Sequence, residues 1–469
     1  MIPLLLIVIP VVTAIFAFAL KQADAAKNLS LVSSIATLGV TFFGLCTAKP
    51  LFFDAAWLPV LGSSFSLSLD GLSKMLTLLT AISFPVVFAS TYNNKYTAAN
   101  SFYGLMLLTQ AGLMGVFLAN DCLLFYFFWE LALIPVYFLC SIWGGERRIA
   151  VTFKFFIYTF LGSLILLIGI LYLYFLTPDH SFALKSFTSL KLSALQQNIG
   201  FALFFLAFAI KMPIFPLHTW QPDAYEESPT AVTMILSGVM VKMGIYAVLR
   251  WLIPVFPIGA QNHAHFVIIL SVIGVIYASL VAIKQDDIKR LIAYSSIAHI
   301  GLMSAAIFAS KSIGLTGVFV QMFNHGINVI GLWIVANAIE QQFGTRKLSE
   351  LGGIAQKAPT LTILFVILSF SNIALPLTSS FVGEFLMFNG LFQYNVWIAG
   401  VAGLSIIFSA VYTLNMVQKV FYGNTSSLTV NTIDATFNVQ LILFILVAVI
   451  IVFGVFPQPM IDLSRQVIP

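Results

Sequence analysis

Runs of about 20 apolar residues recur along the whole of this chain, each long enough to cross a hydrocarbon core of about 30 Å. So many runs cannot be hidden in one water-soluble core, and the charge content closes that route separately. Only 8% of the 469 residues are charged and 60% are hydrophobic, whereas a soluble domain carries roughly 25% charged residues. Lipid is therefore the solvent. In lipid every backbone polar group must be satisfied within its own segment or a closed barrel, and a barrel would show shorter segments alternating with period two. The expected fold class is an all-α polytopic membrane protein of about 14 transmembrane helices. The spans are predicted at residues 2–20, 28–47, 71–91, 101–119, 121–142, 153–177, 199–222, 229–254, 265–283, 291–309, 312–340, 361–394, 396–422 and 438–457. The first run lacks a basic lead-in and a small-residue cleavage site, so it reads as a retained helix.

Loop charge predicts orientation. Counted with the span ends that adjoin them, loops after odd-numbered spans carry thirteen Lys and Arg residues, and loops after even-numbered spans carry five, Arg250 among them. The positive-inside tendency puts the odd-loop face in the cytoplasm and both termini outside. The net charge of +5 sits in these short loops and does not suggest nucleic acid; lipid is the surrounding partner. Cys46, Cys122 and Cys140 form no CxxC pair and no Cys/His ligand pattern, so disulfides, zinc and iron–sulfur clusters have no support. The chain has no GxGxxG, no P-loop and no paired-His pattern for haem. No NAD, FMN, iron–sulfur cluster, quinone or ATP site is expected in it, and energy for directed transport has to come from partner subunits.

Two spans read as broken. Pro213 and Pro216 fall in span seven, KMPIFPLHTW, and each proline removes a backbone N–H, freeing the carbonyls of Ala209 and Met212 on either side of Lys211. Pro376 falls in span twelve, SNIALPLTSSFVGEF, and frees the carbonyl of Asn372. The breaks are five spans apart, which fits two inverted five-helix repeats. The predicted division is 1–100 (spans one to three), 101–254 (four to eight), 265–422 (nine to thirteen) and 438–469 (span fourteen). Paired discontinuous helices point to an ion pathway at the midplane.

An ionisable group inside a span costs several kcal/mol unless paired or hydrated, so each needs a reason. Six stand in separate spans: Glu130 in FFWELALIPVYF, Lys211 at the first break, Lys242 in SGVMVKMGIY, His299 in SSIAHIGLM, His325 in QMFNHGINVIGL and Glu384 after the second break. Gln321 and Asn328 extend the polar face around His325. A row of such groups in a dry interior can relay protons, and a Glu130–Lys211 pair could switch the lysine between loaded and empty. The bland readings are interhelical glue for the Glu–Lys pair and structural hydrogen bonding for each His; the joint occurrence favours the relay. Lys74 is read as snorkelling to the interface. Asp286, Asp287, Lys289 and Arg290 are read as a solvated loop, and Asp223, Glu226 and Glu227 as a loop end.

The segment KMPIFPLHTWQPDAYEESPTAVTMILSGVMVKMGIYAVLRW, with FYFFWELALIP, QDDIKRLIAYSSIAHIGLM, FNHGIN and FVGEF in the same order, resembles the antiporter-like proton-translocating family. That family includes the L-, M- and N-type membrane subunits of NADH–quinone oxidoreductase (respiratory complex I) and subunits of Mrp-type cation/proton antiporters. The resemblance covers nearly the whole chain and is weakest over the first 100 residues. It implies a fourteen-helix core and a proton relay: Glu130 with Lys211 as a coupled pair, Lys242 next, His299 and His325 connecting, and Glu384 last. It also implies that NAD, FMN, iron–sulfur clusters and quinone belong to partner subunits, with L- and N-type chains as neighbours in a bacterial inner membrane. Glu384, where the L-, N- and Mrp-type chains generally have Lys, points to the M-type branch, as does an end about a dozen residues past the last span. The alternative is an Mrp-type antiporter subunit; a plain membrane anchor would need none of the six groups.

Overall fold

The computed structural model describes residues 1–47 and 49–466. Its membrane helices are α1 (Ile2–Ala19), α2 (Ala23–Leu45), α3 (Gly71–Ser90), α4 (Ala99–Leu118), α5 (Cys122–Trp143), α6 (Arg148–Leu176) and α7 (Ala194–Lys211). A short helix α8 (Trp220–Glu227) precedes α9 (Thr230–Val255), α10 (Pro257–Ile283), α11 (Ile288–Phe308) and α12 (Ser312–Phe343). Two half-length helices, α13 (Pro359–Asn372) and α14 (Ser379–Tyr394), are followed by α15 (Val396–Tyr422), α16 (Phe437–Val455) and a terminal turn of helix α17 (Gln458–Ser464). Thirteen of these helices are long and apolar enough to cross a membrane. Together α13 and α14 supply the remaining predicted span.

Helices α9, α11 and α12 are buried almost all round, with 94–100% of their most apolar windows inside the protein. They form the central rank. Helices α1, α2, α6, α15 and α16 turn most of their apolar surface outward, which only a hydrocarbon solvent tolerates. Lys242, His299 and His325 therefore sit on helices screened from lipid by other helices.

Both predicted breaks are present, with different backbone accounting. α7 ends at Lys211, and the Ala209 carbonyl that Pro213 should free is taken by the Ile214 N–H at 3.0 Å. The neighbouring Ile210 carbonyl accepts the Trp220 indole N–H at 3.0 Å. Much of this break is satisfied by the chain's own next turn, because the loop folds back on the helix end. Between α13 and α14, Ala374 and Leu377 take left-handed backbone at φ 53° and 76°, a conformation costing a non-glycine residue about 1–2 kcal/mol.

The segment between predicted spans two and three contains an antiparallel hairpin, β1 (Leu51–Leu58) with β2 (Ser63–Leu69). Its anchor is Asp121, which accepts from Ser63 and Ser64 while capping α5 through the Leu123 and Leu124 N–H groups. Lys74 does not snorkel outward: it is 2% exposed and donates to the Thr47 carbonyl.

Arg250, read as a loop cation, lies within α9 and pairs with Asp70 at 2.7 Å. Asp70 also caps α3 through the Ser73 N–H. Burial alone would raise the Asp70 carboxyl, but the adjacent Arg250 guanidinium and the Ser73 hydrogen bonds outweigh it and hold the carboxyl below its ordinary value of 3.8. A depressed carboxylate stabilises the fold above its unfolded value, and that contribution is lost as pH falls through the folded value. Asp70→Asn should therefore lower the melting temperature of the solubilised complex by an amount that is constant from about pH 8 to 5 and shrinks below about pH 4. Melting curves of both proteins across that range check it; a gap that changes between pH 5 and 8 would show that another group is responsible.

Candidate proton relay

Four of the six predicted groups form one connected run. α9 is wound with i to i+5 turns over Leu236–Met240, immediately before Lys242, a distortion often found at functional sites. Within that turn the Ser237 carbonyl accepts the Lys242 ammonium at 2.7 Å. The same nitrogen lies 2.8 Å from Nδ1 of His325 on α12. The His325 and His299 rings are 5.4 Å apart between centroids, and His299 Nδ1 lies 3.0 Å from the Glu384 carboxylate. Gln321, one turn before His325, donates to the same Glu384 oxygen at 3.4 Å. The run thus crosses four helices, from α9 through α12 and α11 to α14.

Two close helix approaches place it. A Cβ on Gly383 would stand 2.5 Å from Gln321 Oε1 and 2.9 Å from Gln321 Cβ, so only glycine lets α14 bring Glu384 against α12. A Cβ on Gly244 would stand 2.9 Å from the Met212 nitrogen and the Phe208 carbonyl. That contact seats α9 on the end of α7, two residues beyond Lys242. Beside Glu384, a cavity of about 10 Å³ is lined by Ser279, His299, Ser409 and Tyr412 among others; it has room for about one water molecule and polar partners to hold it. Tyr412 continues to Ser295 at 2.9 Å, and Ser295 to Asn372, whose amide also donates to Thr413. These residues link Glu384 to the second helix break and carried no sequence signal beyond ordinary span polarity.

Among the described residues Glu130 and Lys211 form no direct ion pair, which is one of the two arrangements expected of a pair that forms and breaks. Glu130 Oε1 and Lys211 Nζ are both buried without a hydrogen-bond partner. Lys211 lies instead over the Trp129 ring, 5.6 Å from its centroid. Among the described residues no group of three His, Cys, Asp or Glu side chains converges as a metal site.

The charges read as loop ends form a network on the odd-loop face. Glu226 on α8 meets three guanidiniums, Arg147 at 3.1 Å, Arg290 at 2.8 Å and Arg346 at 3.3 Å. Around it, Asp223 pairs with Lys154 and Arg290, Glu227 with Arg147, Asp287 with Arg346, and Glu340 with Lys289. Lys289 is 3% exposed and Asp287 and Arg290 are half-buried in ion pairs, so the solvated-loop reading holds for Asp286 and not for these three. The fold collects these groups from separate stretches of chain and clips α8, which lies between α7 and α9, onto α11 and α12. Glu226→Gln leaves three partly exposed cations around a neutral amide and removes the charge that holds them together. The variant should accumulate in membranes at several-fold lower levels, measured by immunoblot against a partner subunit. Wild-type accumulation with unchanged melting would show that the network does not hold the halves together.

A many-helix membrane protein with titratable groups in contact across its screened central helices, beside two broken helices, is by fold and site an ion-translocating protein of the antiporter-like class. The chain belongs to the family described as NADH:quinone oxidoreductase/Mrp antiporter, transmembrane, which it matches over residues 119–410. It is 37% identical over 456 residues to NADH-quinone oxidoreductase subunit M of Rhodobacter capsulatus, covering 93% of this chain and 88% of that one. It is 33% identical over 477 residues to F(420)H(2) dehydrogenase subunit M of Methanosarcina mazei, covering 98% and 95%. Its fold superposes with a TM-score of 0.91 and 29% identity on a chain of respiratory complex I from Thermus thermophilus with bound NADH, covering 100% of both chains.

Proposed function

We propose that this chain is the M-type proton-translocating membrane subunit of NADH–quinone oxidoreductase, without redox chemistry of its own. The observation that carries the reading is the contact run Lys242–His325–His299–Glu384 in a chain whose relatives are M subunits. A proton on Lys242 has a direct acceptor in His325 Nδ1. One on His299 has a direct acceptor in Glu384. Only the step between the imidazoles needs a ring movement or a bridging water. Glu130 and Lys211 are the loading pair of the first half, with Lys211 free to move because no hydrogen bond holds its ammonium. The two broken spans belong to inverted repeats over 101–254 and 265–422. NAD, FMN, iron–sulfur clusters and quinone lie in partner subunits, and L- and N-type chains are the membrane neighbours. The odd-loop face is cytoplasmic and both termini lie outside a bacterial inner membrane.

The test is affinity purification of the tagged chain from its own membranes. Flavin and iron–sulfur subunits should come with it, and the complex in vesicles should acidify the lumen during NADH oxidation. A relative is named for F(420)H(2) rather than NADH, so the electron donor is read from the co-purified subunits. A partner set without redox subunits that exchanges sodium for protons would replace this reading with the Mrp-type one.

A further inference from the structure

We propose that Trp129 is the seat of the charged form of Lys211: a positioning residue whose ring face stabilises the ammonium while it carries its proton. The inference rests on reading Lys211 as a proton-carrying group. Lys211 ends α7 with 2% exposure, and its ammonium has no hydrogen-bond partner. A buried ammonium without any compensation is not stable. Besides the Glu130 carboxylate on the same turn of α5, the compensation at hand is the Trp129 indole, with Nζ 5.6 Å from the ring centroid. That is inside the limit of about 6 Å for attraction of a cation to an aromatic face, and indole is the strongest such face.

The ring is held in place. Trp129 is itself buried, with Phe125 and Phe208 at centroid separations of 5.5 and 5.8 Å, and Phe125 rests on Trp251 at 5.4 Å. Phe208 lies one turn before Lys211 on α7, so one helix supports both the ring and the ammonium that faces it. Glu130 follows Trp129 directly, and consecutive residues are separated by about 100° around a helix. The indole and the carboxylate therefore offer Lys211 two seats on the same turn of α5. The face of Trp129 attracts the ammonium and not the neutral amine, so it favours the proton-loaded state without forming the ion pair that would fix it there.

The test replaces Trp129 site-specifically, in the assembled complex, by mono-, di- and tetrafluorotryptophan. Fluorine withdraws charge from the ring face stepwise while nearly preserving its shape, so a merely structural role would not respond. At matched assembly, proton pumping by inverted vesicles should fall with each fluorination, reaching roughly 3- to 30-fold for the tetrafluoro ring. Trp129→Phe should fall between wild type and Trp129→Leu. A flat fluorination series overturns the proposal, as does Trp129→Leu pumping as well as Trp129→Phe. Lys211→Ala is measured alongside. Normal pumping by Lys211→Ala overturns the relay role of Lys211 and the proposal with it; lost pumping there with a flat series overturns the Trp129 seat alone.

Discussion

Lys242→Met is expected to leave the complex assembled and to cut proton pumping by at least about a hundredfold, in the range for loss of a positioned proton-transfer group. Lys242 is fully buried, and its nitrogen joins the Ser237 carbonyl to His325 Nδ1. Methionine keeps most of the stem volume, so packing in the screened centre survives. The loss is two hydrogen bonds, leaving two acceptors unpaired at about 1–3 kcal/mol each. Lys242→Arg is the informative companion. It keeps the positive charge but cannot release a proton near neutral pH, so it should pump as poorly as Met. Pumping is followed by dye quenching in inverted vesicles during NADH oxidation. Electron transfer from NADH to a soluble acceptor reports intact partner subunits. An arginine variant with near-normal pumping would mean that Lys242 supplies a fixed charge and not a proton.

The second large effect is at Glu384. Its Oε1 lies 3.0 Å from His299 Nδ1 and 3.4 Å from the Gln321 amide nitrogen, with the water-sized cavity beside it. Glu384→Gln preserves size and can keep one of these hydrogen bonds, but it cannot change charge near neutral pH. It should lose about tenfold or more of the pumping. Glu384→Lys restores a titrating group, and an acceptor for it exists: Gln321 Oε1 is buried without a partner. The lysine variant is therefore expected to pump measurably faster than the glutamine variant at equal assembly. The comparison needs assembly matched by immunoblot, because an unpaired buried cation can cost several kcal/mol. Glutamine pumping as well as lysine would remove Glu384 from the relay and leave the Tyr412–Ser295–Asn372 chain as the place to look.

The membrane spans were legible because hydropathy acts locally: each apolar run is judged by its own residues, whatever it packs against. The breaks in spans seven and twelve were legible for the same reason, since a proline interrupts its own helix. The hairpin at Leu51–Leu69 was not, because its weak alternation competes with flanking apolar spans. The charged network around Glu226 was misread because its members come from separate loops, and each loop taken alone looks solvated. Trp129 passed as one more apolar residue, since nothing in FFWELAL shows which ring lies under a lysine two helices away.

The sequence by itself determined the solvent, the number and order of helices, and the identities of Lys242, His299, His325 and Glu384, since a titratable side chain in lipid is conspicuous wherever it falls. Only the tertiary structure decided which of them touch. Contact depends on where helices cross, and the crossings are set by backbone approaches such as Gly383 on Gln321 and Gly244 on Met212, which join residues far apart in the chain. Four groups were thereby drawn into one run, while Lys211 was left over the Trp129 ring, its ammonium and Glu130 Oε1 both without a hydrogen-bond partner.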